Sequence, residues 1–110
     1  MGLCSGKNIK STMSYSLIIR PQAEIDISDA YDWYNSRLSN LGSEFIDSLD
    51  DTFNSMLNGP ESYAIVYKNI RRALVHRFPY AVYYIQEESR LIVLAVFHFR
   101  RDPKLWQTRK

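Results

Sequence analysis

The spacing of apolar residues changes from helical to strand-like at Asn58–Pro60, and that change limits the bulk of the chain to helices followed by strands. From Pro21 onward, Ala23, Ile27, Ala30, Tyr31, Tyr34, Leu38 and Leu41 recur mostly three or four positions apart. That is one stripe of an amphipathic helix, and Pro21 suits its first turn. Gly42 interrupts the pattern, and Ser43 is placed to cap a second helix. The second stripe is Phe45, Ile46, Leu49, Phe53, Met56 and Leu57, ended by Asn58-Gly59-Pro60. A link this short makes the two helices antiparallel neighbours. Asp26, Asp29 and Asp32 fall mostly off the first stripe, and Asp47, Asp50 and Asp51 off the second, which gives the hairpin an acidic outer face.

After Pro60 the pattern becomes that of strands. They are predicted over Ala64–Tyr67, Arg71–Phe78, Tyr80–Ile85 and Leu91–Phe99, with Gln86–Ser89 as the last hairpin turn. Tyr15–Arg20, stopped by Pro21, reads as a strand before the helices. Strand, two helices, then strands define an α+β layer. Its sheet has four or five mostly antiparallel strands, with the helical hairpin on one face and the other face largely open.

A chain of 110 residues, 45% apolar and 14% aromatic, is one domain with a single core. It has one cysteine, Cys4, which excludes an internal disulfide and supports no metal site. No run approaches the ~20 apolar residues that span a bilayer, so a cytoplasmic protein without a membrane partner is expected. Residues 1–13 lack the apolar core of a signal peptide and read as a disordered extension or tag ahead of a domain over 14–110.

Charge is unevenly placed. Residues 21–59 hold eight acidic groups against Arg37 alone, whereas residues 60–110 hold ten basic and four acidic groups. Either the halves neutralise each other or the second half meets an anionic partner. Alternation along the last strand puts His98 and Arg100 on one face and Arg101 on the other. The strand from Arg71 runs in the same direction, so His76, Arg77, His98, Arg100 and Arg101 are expected at one rim. Arg71 and Arg72 are expected nearer the opposite rim. Trp106 is expected as a lid on the sheet, and Ile25 and Trp33, off the helical stripe, as exposed anchors. Metal-ligand spacing, a phosphate loop and a nucleophile elbow are all lacking. His with Arg suffices for acid–base cleavage of RNA, and equally for gripping an acidic surface.

A helical hairpin followed by RRALVHRFPYAVYYIQEESRLIVLAVFHFRRDPKLW resembles the RelE/ParE superfamily of type II toxin–antitoxin toxins, in its ParE-like, plasmid-stabilisation branch. Arg72, Phe78, Pro79, Tyr80, Val82 and Tyr84 carry one signature strand. Ile92, Val96, His98, Arg100, Arg101, Asp102 and Pro103 carry the last. The resemblance implies a growth-inhibiting toxin without a cofactor, wrapped by the C-terminal segment of a cognate antitoxin. ParE-like members poison DNA gyrase; RelE-like members cut mRNA on the ribosome. Ala81 and Leu74 stand where RelE-type enzymes carry an Arg and a Lys, so the ParE-like reading leads. The alternative is a ribosome-dependent mRNA endonuclease, with His98 as acid or base and Arg100 on the phosphate. Target- or antitoxin-binding is expected of Arg71, Arg72, His76, Arg77, Arg101 and Trp33, in a homodimer or a hetero-oligomer with the antitoxin.

Overall fold

The computed structural model describes residues 15–109, so the expectation for the first thirteen residues lies outside it. In chain order it contains β1 (Ser16–Ile19), α1 (Pro21–Arg37), α2 (Leu41–Asn58) and a 3-10 turn (Pro60–Ser62). Then come β2 (Ile65–Tyr67), β3 (Ile70–Leu74), β4 (Tyr80–Glu87), β5 (Arg90–His98) and a short α3 (Lys104–Gln107). The sheet order is β1-β5-β4-β3-β2. Only β1 pairs in parallel, on β5, and β2 to β5 form an antiparallel meander. This is the expected α+β layer, with the helical hairpin packed on one face.

The hairpin's stripes become the main core. Ala23, Ala30 and Tyr34 from α1 join Phe45, Leu49 and Met56 from α2 over Val82, Tyr84, Leu91, Val93 and Val96. Rings bind the hairpin to the sheet's rim: Phe45 lies 5.2–5.3 Å from Tyr34, Phe78 and Tyr80, centroid to centroid. The Phe78-Pro79-Tyr80 motif therefore does packing work here. Leu38 departs from its stripe. Helix α1 ends at Arg37, the next residue is extended, and Leu38 is 63% exposed.

Ser43 does not cap α2. Asn40, in the left-handed conformation with φ 72°, leads directly into Leu41, a conformation that asparagine tolerates better than most residues. Gly42 is instead a point of close helix approach. Its N–H donates to Asn35 Oδ1 at 2.8 Å, and a Cβ there would lie 2.6 Å from the Tyr31 carbonyl oxygen. Helix propensity alone would reward alanine by ~1 kcal/mol, but the contact opposes it. Gly42→Ala is expected to destabilise by about 1–3 kcal/mol in urea unfolding. A stabilised variant would mean that the hairpin is looser than described.

Three expectations for the sheet are corrected. First, β3 ends at Leu74, not Phe78: Val75 N–H donates to the Tyr80 carbonyl across a five-residue loop in which Arg77 takes φ 72°. His76 and Arg77 are therefore loop residues. Second, Tyr83 pairs with Ala95 but Tyr84 with Val93, so Leu94–Ala95 is a β-bulge. The extra residue shifts the alternation, and Val96 faces the hairpin with Leu91 and Val93, while Ala95 and Phe97 join Ile92 and Leu94 behind. Third, that second face is not open. Ile70, Tyr83, Ile85 and Leu94 there are almost fully buried, and Trp106, the expected lid, stacks on Tyr83 at 4.2 Å.

Candidate functional site

A groove of about 690 Å³ runs between α1 and the segment after β5. One wall is Ile25, Asp29 and Trp33, four residues apart on α1 and thus one above another. The floor is Tyr34, Tyr80, Val96 and Phe97, and the far wall is Arg101, Leu105 and Arg109. The wall stripe lies off the core stripe, so α1 is apolar on two sides. Ile25 is 60% exposed, Trp33 49% and Leu105 41%. Large apolar side chains gathered this way around a trough mark an interaction surface.

His98 closes one end, paired across the ladder with Tyr80 and edge-on to its ring at 5.8 Å. Its Nδ1 accepts the Arg100 N–H at 3.1 Å, so in this arrangement the ring proton belongs on Nε2. Arg101 lies over Phe97, 5.0 Å from the ring centre. Burial raises the Tyr80 hydroxyl above its ordinary value of 10; Arg101 opposes the rise, while Asp26 and Asp29 add to it. The tyrosine thus sits amid the groove's charges. Among the described residues Arg101 has no carboxylate partner within ion-pair distance.

The expected cationic cluster is gathered only in part. The two rim loops do touch, through Phe99 N–H to the Pro79 carbonyl at 3.0 Å. His98, Arg101 and Trp33 line the one groove. Arg77 is paired with Glu44 on α2 at 2.9 Å, and Arg71 donates to the Tyr63 and Glu61 carbonyls. Arg72 lies opposite Tyr83 in the ladder, and His76 is exposed in its loop. Arg100 does not stand beside His98 on one face: it lies beyond the strand, in the turn, with its guanidinium over Phe99.

Two residues that pattern reading missed shape the groove most. Asp26, expected on the solvated face of α1, accepts the Val96 N–H at 3.1 Å and pairs with Arg109. Arg109 also donates to the Leu94 carbonyl at 3.2 Å. The pair thereby satisfies backbone groups of β5 beyond Val93, where pairing with β1 has ended. Helical periodicity carries no signal for either, because their meeting is a long-range contact at the edge of β5.

The fold is a small α+β layer with a groove along one helix, bordered by exposed apolar side chains. The chain belongs to the ParE toxin family of the RelE/ParE superfamily: the model described as "ParE toxin of type II toxin-antitoxin system, parDE" matches residues 17–103. Among solved structures it is similar to "Chromosomal ParDE TA system from P. aeruginosa", with a TM-score of 0.70 and 13% identity, over 79% of this chain and 98% of that one. No curated protein sequence matches it. No helix among the described residues is long and apolar enough to cross a membrane.

Proposed function

We propose that this chain is the toxin of a type II module that arrests growth by binding a macromolecular target such as DNA gyrase. A cognate antitoxin segment seated in the α1 groove neutralises it. The observation that carries the reading is the groove itself, where exposed Ile25, Trp33 and Leu105 share a lining with Arg101, which has no carboxylate partner among the described residues. Exposed apolar side chains beside such an arginine suit an amphipathic segment with an acidic residue. Family membership and the ParDE title of the similar structure support the same reading.

The geometry at His98 favours binding over RNA cleavage. One imidazole nitrogen is occupied by a backbone amide and the Arg100 guanidinium rests on Phe99, so the two are not arranged around a common phosphate.

Induced expression, with DNA supercoiling and protein synthesis followed in parallel, tests the proposal. Growth arrest with lost supercoiling or cleaved DNA, ahead of any fall in translation, is expected. Translation arrest with intact DNA, abolished by His98→Ala, would overturn it in favour of the mRNA endonuclease.

A further inference from the structure

The segment from Phe99 to Arg109 crosses from the end of β5 to the bulge, yet past Phe99 its backbone makes no ladder bonds among the described residues. Its amides turn inward, from Arg101 to His98, Leu105 to Asp102, Trp106 and Gln107 to Pro103, and Arg109 to Trp106. Besides Arg101 over Phe97, three ties hold its far end to the body. Trp106 stacks on Tyr83. Arg109 grips Asp26 and the Leu94 carbonyl. Arg20 donates to the Arg109 carbonyl at 2.9 Å. The Asp26 and Arg109 side chains are only 9% and 19% exposed, so the fastening is shielded from water and salt.

We propose that this segment is a hinged strap. It forms the movable wall of the groove, latched by Asp26 and Arg109, and opens as a unit while the sheet and helical hairpin stay folded. A segment bound by side chains at its far end, and by no ladder, opens at lower free energy than the strands beneath it. Closed, the strap supplies Arg101 and Leu105 to the groove. Open, it widens the trough enough to admit a chain from the side, and reclosure clamps the occupant. That consequence rests on the docking reading above; the hinge does not.

Hydrogen exchange on the full chain without any partner isolates the hinge. The Leu105, Trp106 and Gln107 amides are expected to exchange at least ~10-fold faster than the β4–β5 ladder amides. Asp26→Asn keeps an acceptor for the Val96 N–H but removes the charge that holds Arg109. It is expected to speed strap exchange about 10-fold or more with the ladder amides nearly unchanged. Arg109→Gln should do the same, and serves if the first variant folds poorly. Arg109→Lys should restore part of the protection. Equal rates in strap and ladder, rising together in both variants, would show one cooperative unit and overturn the hinge. Because no partner is present, that result is independent of whether the groove binds an antitoxin.

Discussion

Trp33→Ala combined with Arg101→Glu is expected to abolish neutralisation by the antitoxin while leaving the toxin folded. Trp33 is half-exposed, touched from one side by Tyr34 and covered by the Arg37 guanidinium at 4.5 Å. Its removal therefore opens no cavity in the core. Tryptophan at the centre of a docking surface is a typical anchor, and truncating such an anchor costs about 2 kcal/mol or more of binding. Reversing the charge of Arg101 turns an attraction for an acidic side chain into a repulsion, at several kcal/mol where like charges meet. Together the changes should weaken the complex by roughly 1,000-fold or more, read by titration calorimetry. The urea midpoint should move little, since exposed substitutions usually stay within about 0.5 kcal/mol. An unchanged affinity would place the antitoxin elsewhere.

The second large effect lies behind the groove. Phe45→Ala is expected to cost about 3–5 kcal/mol of stability, a large part of the ~5–15 kcal/mol available to a domain. Phe45 is fully buried and meets Tyr34, Phe78 and Tyr80 with tilted or edge-on rings. Those contacts add to the burial itself. Tyr34 and Tyr80 are also the groove's floor, so the lost support should reduce antitoxin affinity too. Phe45→Leu, which keeps most of the volume, should recover more than half of the stability. A loss under ~1 kcal/mol on Phe45→Ala would mean that the rim is not held by this cluster.

How far the sequence could be read follows from which contacts are local. The α2 stripe from Phe45 to Leu57 packs as spaced, because helical periodicity needs no knowledge of the partner surface. The order of elements led to the right architecture for the same reason. What escaped were single-residue events. The bulge at Leu94–Ala95 reverses the alternation of everything after it, so a parity count begun at Leu91 puts His98 beside the wrong neighbours. The left-handed Arg77 ends β3 early and turns a predicted strand face into a loop. The cations were visible as a set, but their assignments were not. Arg77 is neutralised by Glu44, from the acidic half of the chain, and Arg71 is spent on backbone carbonyls. The exposure of Trp33 and Ile25 was legible, since they sit off a core stripe that already had enough apolar residues. Asp26 resembled any other solvated helix aspartate until its partner, more than 80 residues away, was known.

Photo-crosslinking places the docked segment most directly. A photoreactive phenylalanine analogue is introduced at Ile25, on the groove wall, or at Asp51, on the outer face of α2. Each version is then co-expressed with the product of the reading frame adjoining its gene. Crosslinking from position 25 and none from position 51 is expected. Capture from position 51 alone would contradict the groove as the antitoxin's seat.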